Sequence, residues 1–310
     1  MDLGERGRRY TGLLNDLLCP KEGFYIVRVQ FEEKTYESYF NNELDQMSSI
    51  YFPPGQVLEG LLGFDVSART ASRKLWKILG YPFWFFHPFQ GANLQEVAKE
   101  LDGIIGHIVD SIPGIKANLF IQYKRPEYIT TANGKEWIHW NQEYFRYSIY
   151  SQQQKLLERI DSSFGDRALV IYAAPAISSL NELVQCKKNK KIIESSNFKK
   201  VGNLVGHSRN TYIKSGTYSV ACSEPERIEN INILSEIERF KQAETAEVRE
   251  VIGNTSKSIE EALEITAYYK AAFNSLMEEY RELKQFKILY SHLVMKCFRE
   301  VTGVQWLISI

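Results

Sequence analysis

The chain predicts an α/β protein, on three observations. Apolar runs of strand length recur at 24–31 (FYIVRVQF), 117–126 (ANLFIQYKRP), 167–173 (RALVIYA) and 218–222. Stretches with helical spacing lie among them, the clearest at 94–109, where Leu94, Val97, Leu101, Ile104, Ile105 and Ile108 share one side. The last third changes character and reads as helix. With 310 residues and 44% hydrophobic content, the chain is long for one domain and short for two. It divides into an N-terminal strand and helix region (1–55), an α/β core (56–225) and a C-terminal helical extension (226–310).

Taken in order, the strand at 24–31 is followed by a helix at 36–47, and Phe52-Pro53-Pro54-Gly55 punctuates before the core. Residues 72–79 read as helix, whereas Pro82 and Pro88 argue against a central strand in the aromatic stretch 81–89. Asn133-Gly134 marks a turn, and 144–160 and 179–186 read as helices around the strand at 167–173. In the extension, 231–251 reads as one helix and Gly253-Asn254 as a break. Ser258 with Glu261 forms a capping box opening a second, longer helix. Ile259, Ala262, Thr266, Tyr269, Phe273, Leu276, Tyr280 and Leu283 then step by three and four. That seam serves either folding back on the core or joining a second copy or a partner subunit.

The run at 117–126 carries the chemistry. In a strand, Leu119, Ile121 and Tyr123 face one way, and Phe120, Gln122 and Lys124 the other. A carboxamide and an ammonium thus share a face at the end of an apolar strand, where burial is costly unless something pairs with them. Upstream, 56–69 (QVLEGLLGFDVSAR) sets Asp65 among apolar residues, six positions after Glu59. Extended throughout, the two share a face; a turn at Gly60 or Gly63 breaks that parity. An acidic residue on one strand with Gln-x-Lys on a neighbour can hold a hard divalent cation against a phosphodiester. The oxygens ligate Mg²⁺ while the lysine orients or activates the attacking water. The plainer alternative is that Lys124 snorkels from the strand end and Gln122 satisfies a backbone group.

At these residues the chain resembles the PD-(D/E)XK nuclease superfamily, in particular the Mrr-like restriction endonucleases in which Gln replaces the acidic residue before x-Lys. The resemblance spans 56–175. It implies a restriction-endonuclease-like mixed central sheet flanked by helices, and Mg²⁺-dependent cleavage, with Mn²⁺ as a substitute and DNA as substrate. Asp65 would be the metal-binding acid, Gln122 the second ligand, Tyr123 the donor of a backbone carbonyl and Lys124 the catalytic lysine. A further acidic residue on the helix before the first core strand would be Glu43 or Glu59, with Glu59 preferred. Related exonucleases carry a Gln and a Tyr on the helix that follows. Here Gln152, Gln153 or Gln154 has no tyrosine four residues on, a departure from that pattern. By analogy the chain would serve restriction or antiviral defence beside a sensor or motor subunit, as a homodimer or with a partner protein. The rival class is a non-catalytic nucleic-acid-binding or assembly subunit with a degraded nuclease fold.

Net charge is zero, with 38 basic and 38 acidic residues, but its distribution is uneven. Residues 187–214 carry eight basic residues against Glu194 alone, while 224–261 carry ten acidic and five basic. The first block marks Lys187, Lys188, Lys190, Lys191, Lys199, Lys200, His207 and Arg209 as candidate nucleic-acid contacts, with a solvated loop as the alternative. Trp137, His139 and Trp140 either stack on bases or pack. Cys19, Cys186, Cys222 and Cys297 have neither metal-finger spacing nor a disulfide pattern, which suits a reducing compartment. No run nears the roughly 18 apolar residues of a membrane span, and 1–10 lacks the apolar core of a secretory signal, so the expectation is a soluble cytoplasmic chain without membrane contact. Walker, Rossmann and Gly-x-Ser-x-Gly patterns are missing. Ser196, Ser208 and Lys214 begin motifs too crowded for a penicillin-binding serine enzyme.

Overall fold

A computed structural model describes residues 26–51 and 94–310. The elements are β1 (Ile26–Arg28), α1 (Glu33–Met47), β2 (Ile50–Tyr51), α2 (Leu94–Asp110), β3 (Ala117–Tyr123), β4 (Glu127–Ile129), α3 (Trp137–Trp140), β5 (Tyr144–Ser148), α4 (Ser151–Phe164) and β6 (Ala168–Pro175). There follow α5 (Leu180–Lys188), β7 (Ser196–Lys200), β8 (Arg209–Tyr212), β9 (Ser219–Cys222), β10 (Glu226–Ile228), α6 (Ile233–Phe240), α7 (Val248–Leu263), α8 (Ala267–Met277), α9 (Lys287–Thr302) and β11 (Gln305–Ser309). The fold is α/β, with a mixed central sheet flanked by helices and a C-terminal helical region, α7 to α9.

The central sheet has the order β2-β11-β3-β6-β7. Among the described strands only β3 and β6 run parallel, with α4 the last α-helix of the connection between them, and β3 is buried at every position. A strand buried on both faces reads as a continuous apolar run, which is why 117–123 stands out in the sequence. The alternation read there is the one observed. Tyr123 packs edge-on against Tyr36 and Phe40 of α1, at ring centroids of 5.8 and 5.5 Å. Phe120 meets Phe164 of α4 and Phe298 of α9 on the opposite face.

A second sheet, wholly antiparallel, has the order β1-β4-β5-β8-β9-β10. It accounts for one departure from expectation. Residues 144–160 form strand β5 followed by helix α4, because Tyr144, Phe145 and Tyr147 enter cross-strand aromatic packing. Phe145 stacks on Tyr128 at 4.7 Å and on Tyr212 at 5.6 Å, and such pairs stabilise a ladder more than helical spacing favours a helix.

The C-terminal region differs in three ways. Residues 231–251 are interrupted after Phe240, where Ala246 exchanges backbone hydrogen bonds with Ile115. α7 then starts at Val248, capped by the Glu247 carboxylate accepting from the Glu250 N–H at 2.6 Å. Ser258 is therefore mid-helix, and Gly253 sits within α7 where a Cβ would meet open space. The expected seam crosses the break between α7 and α8. Finally, the chain ends in β11, which lies between β2 and β3. The helices fold back on the core: Leu289 N–H donates to Asp102 of α2 at 2.9 Å, Arg249 pairs with Asp110, and Arg299 bonds Glu37 of α1 at 2.8 Å. Among the described residues no helix is long and apolar enough to cross a membrane.

Because β11 supplies one flank of β3, damage to it should be felt by the whole core. Leu307 is fully buried opposite Leu119. Leu307→Ala should cost about 2–5 kcal/mol in urea unfolding. A loss below about 1 kcal/mol would show that β11 is dispensable to the core.

Candidate active site at the carboxyl end of the parallel strands

The parallel ladder of β3 and β6 extends one step past β3, with the Lys124 N–H donating to the Ala173 carbonyl at 2.9 Å. This fixes Lys124 in strand geometry before Pro126, so Gln122 and Lys124 point together at α4. Gln153, in the first turn of α4, bridges them. Its Nε2 donates to Gln122 Oε1 at 2.8 Å and to the Thr302 carbonyl at 3.4 Å, while its Oε1 accepts from Lys124 Nζ at 2.6 Å. Gln122 Nε2 donates in turn to the Tyr123 carbonyl at 2.9 Å. The next residue, Gln154, accepts from the Tyr172 hydroxyl at 2.8 Å and donates to the Val201 carbonyl at 3.0 Å. Two consecutive glutamines thus pin the start of α4 across β3 and β6.

Lys124 is 6% exposed. Burial pulls its ammonium down to about 8, with Glu33 of α1 drawing it partly back up. Glu33 responds in the opposite sense: burial raises its carboxyl, opposed by Lys124 and by the Arg125 N–H donating to it at 3.1 Å. Lys124 Nζ lies between two tyrosine rings, 5.1 Å from the centroid of Tyr150 and 5.3 Å from that of Tyr172. Arg125 closes the rim, its guanidinium bonded to the Val29 carbonyl and to Glu32.

Gln122 and Lys124 therefore converge as expected. Asp65 and Glu59 lie outside the described residues. The strands beside β3 are β6 and β11, so the neighbouring-strand place expected for an acidic residue is filled by β11. Glu43 has another task, accepting from the Ile192 and Ile193 N–H groups at 2.9 and 3.0 Å and tying α1 to the turn after α5. Tyr123 directs its hydroxyl to Asn41 on the far face, while its carbonyl takes the Gln122 amide.

The basic block does not form one surface. Lys187, Lys188, Lys190 and Lys191 are exposed at and after the end of α5, with Lys187 over the Tyr39 ring at 4.2 Å. Lys200 pairs with Glu236 at 2.9 Å, Arg209 with buried Glu136, and His207 approaches Glu226 at 3.3 Å. Lys199 is a correction to the expected contact set. It is wholly buried, its ammonium donating to Asn230 Oδ1 at 3.5 Å, and burial pulls that ammonium down to about 7 against the field of Glu229. A group with no exposed surface offers nothing to a phosphate. Trp140 is likewise spoken for, buried with its indole N–H on Thr211 and its ring stacked on Tyr218.

Sequence reasoning missed Glu33, whose Glu-Glu-Lys context follows the run 24–31, an apolar stretch interrupted by Arg28 and Gln30. It also left the bridging Gln153 as one of three adjacent candidates; the discriminating signal is helix phase, which turns Gln152 to solvent and buries Gln153 and Gln154. Among the described residues no group of three or more His, Cys, Asp or Glu side chains stands ready to hold a metal. The oxygens of Gln122 and of the Tyr123 carbonyl are nonetheless of the hard, neutral type that Mg²⁺ takes beside a carboxylate, and each keeps a second lone pair. A hollow of about 630 Å³ lies elsewhere, at the opposite end of β6 between Asp161, Lys200 and Glu236. Comparison of the chain with protein-family models, curated proteins and solved structures gives no match.

Lys124 holds its proton less tightly folded than unfolded, about 8 against 10.5. Between those values the unfolded chain binds more protons, so Lys124 makes the protein gain stability as pH rises through this window. Measured by urea unfolding from pH 7 to about 10, wild type should gain on Lys124→Met, mostly above pH 8. A pH-independent difference would mean that Lys124 titrates normally.

Proposed function

We propose that the chain is a metal-dependent nuclease that hydrolyses phosphodiester bonds, with DNA as the expected substrate. The observation that carries this reading is the buried cluster of Gln122, Lys124 and Gln153 at the carboxyl end of the parallel strands, where ligands of open α/β sheets gather. As an ammonium Lys124 keeps two N–H groups beyond its bond to Gln153; as the neutral amine, which its lowered pKa populates near pH 8, it keeps one N–H and a lone pair. Such a group can hold the attacking water by one contact and take up its proton. Gln153 fixes the direction of both strand side chains, so they need no reordering when a phosphate arrives.

Gln122 Oε1, the Tyr123 carbonyl and the Asp65 carboxylate would hold the metal, with Glu33 or Glu59 as a further acid. When bound, Mg²⁺ would polarise the phosphoryl oxygens and acidify a coordinated water. A second reading, a non-catalytic nucleic-acid-binding or assembly subunit, is favoured by the completeness of the internal hydrogen bonding and by β11 standing beside β3.

The test is incubation of the purified chain with Mg²⁺ or Mn²⁺ and supercoiled plasmid, linear duplex, single-stranded DNA or RNA. Cleavage should disappear with EDTA and fall by about a hundredfold or more in Lys124→Ala, Gln122→Ala and Asp65→Ala. Cleavage that survives EDTA and these changes would remove the active-site assignment. Binding without cleavage by every form would favour the second reading.

A further inference from the structure

Tyr150 immediately precedes α4 and is 67% exposed, although its ring centroid lies 5.1 Å from the nearly buried Lys124 Nζ. The two tyrosines around that ammonium have different surroundings. Tyr172 is fully buried and commits its hydroxyl to Gln154 at 2.8 Å. Tyr150 makes no hydrogen bond through its hydroxyl to another described residue and leaves most of its ring in water. A ring so exposed adds little to the core; what it offers is an apolar face beside a cation.

We infer that Tyr150 is a nucleobase-stacking residue and that the strand presented to Lys124 is single-stranded or locally unpaired; this rests on the nuclease reading above. A phosphate drawn to Lys124 brings its own sugar and base, and the adjoining open ring is where that base lands. Stacking on an aromatic side chain tolerates any base, because each has a π face. In a duplex that face is covered by neighbouring bases, and exposing it costs unstacking energy. Lys124 is also recessed beside the exposed ring, so the backbone must reach it at the level of one strand.

The test uses a single-stranded DNA oligonucleotide carrying 2-aminopurine, with EDTA present so that nothing is cut, and a duplex of the same sequence. Wild type and Tyr150→Phe should quench the probe and prefer the single strand to the duplex. Tyr150→Ala should lose the quench and bind about tenfold more weakly, with an unchanged circular dichroism spectrum. Equal quenching and affinity in Tyr150→Ala, equal affinity for the duplex, or no binding of the oligonucleotide would each overturn the inference. The two readings fail separately. Quenching without metal-dependent cleavage would leave Tyr150 in its role and remove the nuclease, whereas cleavage with an unchanged KM in Tyr150→Ala would do the reverse.

Discussion

An ammonium group withdrawn from water at the end of a parallel strand must find its partners within the protein, and the arrangement around Lys124 follows from that need. Burial favours the neutral amine, so nearby groups compensate: the Gln153 carboxamide accepts one N–H at 2.6 Å, and Glu33 supplies opposite charge. Gln153 in turn can face Lys124 only if its other end is satisfied, which Gln122 and the Thr302 carbonyl do. One side chain therefore couples β3, α4 and the end of α9. A polar network of this kind is stable when every member is paired and costly when one is lost.

The order of the central sheet puts this network at the carboxyl end of its parallel pair. Running β3 and β6 parallel brings Gln122, Lys124 and Tyr172 to one edge, while α1 seals the opposite face through Tyr36 and Phe40. The C-terminus finishes the construction. β11 covers the other flank of β3, and Thr302, the last residue of α9, supplies its carbonyl to Gln153. The helical region is thus a structural part of the cluster.

Much of this was legible in the sequence where burial is strong. The runs that became β3 and β6 are apolar on both faces, and the spacing at 94–109 marks α2, so both signals survive without neighbours. The shared face of Gln122 and Lys124 follows from strand periodicity alone. What escaped depends on contacts distant in the chain. β5 is a strand because Tyr128 and Tyr212 receive Phe145, and β11 joins a sheet whose other strands end at Lys200. Lys199 sits in a cationic run yet is buried, since edge strand β7 turns it inward toward Asn230. Charge counting sees composition; it does not see which face a strand presents.

The nuclease proposed above requires a cation beside Lys124, one that Gln122, the Tyr123 carbonyl and Asp65 would hold. Crystals of the full chain soaked in Mn²⁺ and measured at a wavelength that reveals its anomalous scattering would show whether that cation binds there. A peak should appear in coordinating contact with Gln122 Oε1 and the Asp65 carboxylate, next to the Lys124 ammonium. A crystal in which Mn²⁺ binds elsewhere or not at all, with the Gln122–Gln153–Lys124 bonds unchanged, would contradict it and leave the cluster as a structural brace.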